Sequence, residues 1–229
     1  MQLVEQGELS LDADVNEVLP FPVRNPQYPK VPITLKHLLT HTSGIRDNWN
    51  LLENTWVKNG DFPKPLGESL AAYLQPKGEY YNAKKSLYQW APGTKSQYSN
   101  VGVALAAYLA ETKAKISFET LCPKGIFEPL GMHGYLDFPS GTLRVTAPHL
   151  ARFHLSLIGD GKLEGTRILK AETVREMRKV PFPKGDSKQR ASGISTKWVE
   201  ARRWGTTAVI QMSPRSYNTD PRTASAISS

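Results

Sequence analysis

Apolar residues recur at helical spacing in several stretches of the chain, and strand-like alternation is scarce. Met1 to Gly7 reads as the last turns of a helix, with Leu3 and Val4 apolar and Gly7 as its stop. Five prolines between Pro20 and Pro32 exclude a helix there and predict an extended loop. Thr34 is placed to cap a short helix whose Leu35, Leu38 and Leu39 share one face, ending in the polar turn His41-Thr42-Ser43-Gly44. Residues 48–93 mix short helices and loops. Tyr98-Ser99-Asn100 leads into VGVALAAYLAE, whose small residues Gly102, Ala104 and Ala106 predict a tightly packed buried helix. Ser117 to Phe127 is a further helical stretch, closed by Pro129-Leu130-Gly131-Met132. Thr146-Ala147-Pro148 opens another, with Leu150, Phe153, Leu157 and Ile158 at core spacing and Gly159 as its stop. Ala171 to Val180 predicts a last helix with Val174 and Met177 on one face. The readable part is mainly helical.

Composition narrows the function classes. The 229 residues fit one domain, or one with a small subdomain, and 21 aromatic residues spread along the chain exclude wholesale disorder. No run approaches the roughly 20 apolar residues of a membrane span, and the first residues carry neither a basic nor an apolar signal region. No membrane partner is expected, and localisation is not encoded. Cys122 is the single cysteine, which excludes an internal disulfide; in its helical stretch it reads as a small packing residue. The net charge of +8 raises nucleic-acid binding, but residues 184–229 hold eight basic residues against three acidic ones and so account for +5 of it. The body shows no basic stripe interleaved with aromatics in sequence, so no nucleic-acid partner is expected.

Candidate metal and nucleophile residues are few. His37 and His41 have the i, i+4 spacing of a zinc helix, but Leu38-Leu39-Thr40 supplies no glutamate and no third ligand stands out. Both read as satisfied structural histidines. His149 and His154 fall on the solvent side or edge of an amphipathic helix. Ser43 has Arg46 three residues on, where an activating lysine would be needed.

Three features converge in order along the chain: LLTHTSG at residues 38–44, Trp90-Ala91-Pro92-Gly93 with Tyr98-Ser99-Asn100 and its small-residue helix, and Pro129-Leu130-Gly131-Met132 with PHLARFHLSLIGDGKLEG and Ile168-Leu169 downstream. Together they resemble the serine β-lactamase-like family, in particular its class C and penicillin-binding, esterase-like branch, over roughly residues 1–204. Alone, a tyrosine and an asparagine before a helix are a packed aromatic and a cap.

The resemblance implies an α/β (α+β) fold of the β-lactamase/DD-peptidase type, mainly its helical region, with an incomplete antiparallel sheet. It implies hydrolysis through an acyl-serine, without cofactor or metal, on a small-molecule acyl or peptide-like substrate. By motif match Tyr98 corresponds to the general base and Asn100 to the substrate-positioning residue. The family's Ser-x-x-Lys is absent, since no serine of the sequence has a lysine three residues on, and the resemblance places that pair upstream of Met1 in a chain truncated at its N-terminus. Its late K/H-x-G strand motif is also absent. Read one base out of register, the stretch from Gly205 to Pro214 permits Gly-His-Asn-Gly-Gly-Asp-Pro-Asp-Val-Ser. The expected organisation is therefore a partial family domain at 1–204 and an out-of-frame tail at 205–229. An inactive chain is expected, or alternatively a non-catalytic remnant that binds a ligand or partner. Helices lacking their sheet should expose apolar faces.

Overall fold

The computed structural model of the protein describes residues 1–55, 64–136 and 143–179. The proposed tail at 205–229 lies outside them. The elements run α1 (Gln2–Glu5), α2 (Leu35–Leu39), α3 (Trp49–Thr55), α4 (Leu66–Leu74), α5 (Ala83–Ser86), α6 (Asn100–Ala114), α7 (Phe118–Cys122), β1 (Gly134–Tyr135), β2 (Arg144–Val145), α8 (Ala147–Ile158), β3 (Lys162–Leu163), β4 (Thr166–Arg167) and α9 (Ala171–Arg178). Among the described residues, named strands form two two-stranded antiparallel ladders, β1 with β2 and β3 with β4. The expected mixture of many helices and little antiparallel sheet is what the described residues adopt.

Local chemistry explains the helix boundaries. Thr34 Oγ1 accepts the His37 N–H at 3.2 Å while His37 Nδ1 accepts the Thr34 N–H at 3.3 Å, so an imidazole fills the place a glutamate takes in the usual capping box of α2. Ser99 caps α6 by accepting the Gly102 N–H at 2.9 Å, and Ser117 caps α7. The helix expected to continue to Phe127 instead passes at Pro123 into a π-helical turn, Pro123–Phe127. Proline has no N–H to donate to the α-helical ladder. Pro148 stands in the first turn of α8, where the missing N–H costs nothing, and Gly159 follows its last residue.

Two apolar clusters hold these elements. The first joins Val15, Val23, Ile33, Leu38, Ile45, Leu70, Tyr73 and Leu74 to the α6 residues Leu105 and Leu109, with α2 and α4 packed on α6. Helix α6 buries Val101, Gly102, Ala104, Leu105, Ala107 and Leu109, as its small-residue pattern predicts. The second gathers Phe127, Leu130, Met132, Leu157, Ile168, Leu169 and Val174. Helix α1 reaches this second cluster through Gln2, whose amide donates to the carbonyls of Gly125 at 2.7 Å and Ile168 at 3.0 Å. Two expected core residues are not in it: Leu150 is half-buried and Ile158 is 41% exposed, and Leu155 on the same helix is 50% exposed. Ile158 is the last residue of α8, at the turn that leads into β3.

Candidate active site

The polar turn after α2 is built to present one carboxylate. His41 and Gly44 both have positive φ, +55° and +77°, which reverse the chain and send Ile45 inward. Ile45 then pairs antiparallel with Leu87. Arg46 N–H donates to Ser86 O at 2.9 Å and Tyr88 N–H to Gly44 O at 2.8 Å. Buried Asn25 fixes the partner segment, its amide donating to the carbonyls of Tyr88 at 2.9 Å and Trp90 at 3.2 Å. From α4, the Tyr73 hydroxyl accepts the Asn48 N–H at 2.8 Å and donates to Arg46 O at 2.7 Å, clamping the chain on both sides of Asp47. Burial pushes the Tyr73 phenol up to about 12, so it remains a neutral donor.

Asp47 is 8% exposed and accepts four hydrogen bonds. Oδ1 takes Ser99 Oγ–H at 2.8 Å and Val101 N–H at 3.1 Å. Oδ2 takes both the backbone N–H and the side-chain Nδ2 of Asn100, each at 2.8 Å. Two of these donors are the first backbone amides of α6, where the helix dipole favours a negative charge. Because an ionised carboxylate only accepts, the Asn100 amide must turn its nitrogen to Asp47 and its oxygen outward. That oxygen accepts the Tyr98 hydroxyl at 3.0 Å. His41 completes the cluster: its ring lies 4.6 Å from that of Tyr98, and its Nδ1 accepts the Ser99 N–H at 3.3 Å.

The structure therefore brings Tyr98 and Asn100 together, both half-buried, at the N-terminus of a well-packed helix. Ser43 is buried, its Oγ accepting the Ile45 N–H at 3.2 Å within the turn. His37 serves the α2 cap and His41 the Tyr98 loop, so the two imidazoles at zinc-helix spacing have separate duties. His149 accepts the His133 N–H at 3.1 Å and is half-buried, as is His154, which fits their place at a helix edge. Cys122 packs against the second cluster, and burial pushes its thiol up to about 11. Sequence reasoning missed Asp47. Its partners lie more than 50 positions along the chain, so no local spacing marks it; the available signal is an acid placed three residues beyond a glycine that reverses the chain.

Comparison with known proteins gives this arrangement its lineage. The family model described as Beta-lactamase matches residues 1–136. Penicillin-binding protein 4 of Amycolatopsis lactamdurans is 29% identical over 163 residues, which are 69% of this chain and 37% of that protein. A penicillin-binding protein of Bacillus subtilis strain 168 is 28% identical over 137 residues, 57% of this chain and 26% of the relative. The chain thus spans well under half the length of these curated relatives. Among solved structures, the octameric penicillin-binding protein homologue from Pyrococcus abyssi superposes with a TM-score of 0.57 at 25% identity, covering 80% of this chain and 46% of that one. With the family matched over more than half of its residues and the fold shared, this chain belongs to the β-lactamase family, the serine hydrolases that include the penicillin-binding-protein homologues.

Proposed function

We propose that residues 1–204 carry the tyrosine–asparagine part of an acyl-serine hydrolase site, and that these 229 residues form no acyl-enzyme by themselves. Tyr98 takes the general-base position and Asn100 the substrate-positioning one, towards a small acyl or peptide-like substrate. The observation that carries the reading is the Tyr98–Asn100 hydrogen bond anchored on buried Asp47, in a sequence that holds no Ser-x-x-Lys. A base without an attacking hydroxyl beside it cannot open an acyl carbonyl by the covalent route. Residues 205–229 are proposed to be out of frame, and codons incompatible with the shifted reading would overturn that.

A second reading, ligand binding without turnover, is favoured by one observation. Asn100 already spends its nitrogen on Asp47 and its oxygen on Tyr98, and the Tyr98 hydroxyl is donated within the protein. Incubation with a fluorescent penicillin and with p-nitrophenyl acetate, followed by intact-mass measurement, tests both. The expected result is no acyl adduct and ester hydrolysis no faster than that of Tyr98→Phe. Non-covalent retention of the penicillin without an adduct supports the second reading. A serine-linked adduct that disappears in Tyr98→Phe overturns the proposal.

A further inference from the structure

Beside the segment that presents Asp47, folding assembles a cluster of cations on aromatic rings. The Arg46 guanidinium lies over the Tyr88 ring at 5.3 Å from its centroid. Tyr88 and Trp90 stack at 4.1 Å with their planes within 10°. The Lys95 ammonium lies over Trp90 at 5.5 Å. Rings stacked this closely cover one face of each other and leave the other face to the cation. Arg46 also donates to the carbonyl of Lys84 at 3.3 Å, which brings the Lys84-Lys85 pair into the same surface. Arg46, Lys84, Lys85 and Lys95 are all exposed, and none has a carboxylate partner among the described residues.

An un-neutralised group of like charges costs free energy unless a counter-charge arrives, and this group is held in place before any arrives. Asn25 pins the backbone carbonyls of both Tyr88 and Trp90, and the rings restrain Arg46 and Lys95 by cation–π attraction. Among the described residues the buried Trp90 indole N–H has no acceptor, so the ring keeps its place at the expense of an unmade hydrogen bond. Cations ordered in advance lose less entropy on binding than free surface lysines do.

We propose that this surface binds an acidic peptide segment through two or more of its carboxylates. A guanidinium takes a carboxylate through paired N–H bonds, and the lysines act as neighbouring point charges. Single-stranded nucleic acid, the other polyanion, depends on bases stacking on open aromatic faces, and in this cluster those faces are occupied. The proposal is independent of acyl chemistry. Its place in the fold matters all the same, because the loop that bears Lys95 ends at Tyr98 and Arg46 adjoins Asp47.

The test is a fluorescence-anisotropy titration of the full 229-residue chain with labelled hexaglutamate at low salt, against hexaglutamine and an oligothymidylate of equal charge. Hexaglutamate is expected to bind and to change tryptophan emission, with the emission change lost in Trp90→Phe. Replacing two cations that make charge-assisted bonds, Arg46→Gln with Lys95→Gln, is expected to weaken binding about tenfold or more. Lys188→Gln with Arg190→Gln, in the strongly basic C-terminal stretch, should leave it unchanged. If the first double variant does not fold, Lys84→Gln with Lys85→Gln is the second and should also weaken binding. Equal affinity of either cluster variant and the parent chain overturns the proposal, as does equal affinity for oligothymidylate or no binding to hexaglutamate.

Discussion

Asp47 holds Asn100 twice through one oxygen: Oδ2 accepts both the backbone amide and the side-chain amide of Asn100, each at 2.8 Å. The first bond starts α6 and the second orients the carboxamide that meets Tyr98. A single buried acid thus sets both the position of the helix and the polarity of the group at its mouth.

Asp47→Ala should strand four donors at once, those of Ser99, Val101 and the two of Asn100. Loss of a helix-terminal acceptor together with unsatisfied buried donors is expected to lower stability by about 3 kcal/mol. Asp47→Glu should recover little of this, because the extra methylene pushes the carboxylate into the helix end. Urea unfolding of the three chains measures it. An alanine variant as stable as the parent would show that Asp47 does not anchor the start of α6.

Tyr73→Phe keeps the buried ring but removes the clamp on Asn48 N–H and Arg46 O. Leaving both groups without their partner should cost about 1–3 kcal/mol. Amide exchange of Asn48 and Arg46 should quicken well before that of the α6 core. Unchanged protection at Asn48 would mean that water replaces the phenol without loss.

Acid sensitivity should trace partly to two histidines. Burial holds the imidazoles of His37 and His154 below the ordinary 6.5, with the Lys36 charge adding to the effect at His37. The unfolded chain therefore takes up protons before the folded one does as pH falls through about 6.5, so stability present above that pH declines below it. His37→Gln removes one such titration. It should also keep neutral-pH stability, since glutamine can serve in the capping box with Thr34. Melting temperatures at pH 7.5 and 5.5 should differ less for the variant; an identical difference would clear His37 of the effect.

Cys122 should be inert in the native state. Its thiol is pushed up to about 11, so the reactive thiolate is scarce at neutral pH. Iodoacetamide at pH 7.5 should label it only after denaturant is added, and rapid labelling of the folded chain would contradict its packing against the second cluster.

How far the sequence could be read depended on the range of the interactions involved. The Thr34 cap, the turn ending at Gly44, the buried helix α6 and the Pro148 start of α8 were legible because each rests on residues within about one helical turn; the α6 cap falls on Ser99 and not on the asparagine that follows it. The helical reading of 117–127 holds, with the α-helix giving way at Pro123 to a π-helical turn that local spacing does not reveal. Ile158 has core spacing but lies at the end of its helix and stays largely exposed, which periodicity alone does not reveal.

By itself the sequence determined the mainly helical class, the Thr34 cap and the family likeness carried by LLTHTSG and Tyr-Ser-Asn, since these are written in short-range order. Only the tertiary structure decided that Asp47 anchors Asn100 and that Arg46, Tyr88, Trp90 and Lys95 form one cluster. In the linear chain the basic and aromatic residues looked unrelated. Asp47 and Arg46 take their meaning from partners roughly 40 or more positions away, and only closure of the loops between them brings those partners within bonding distance.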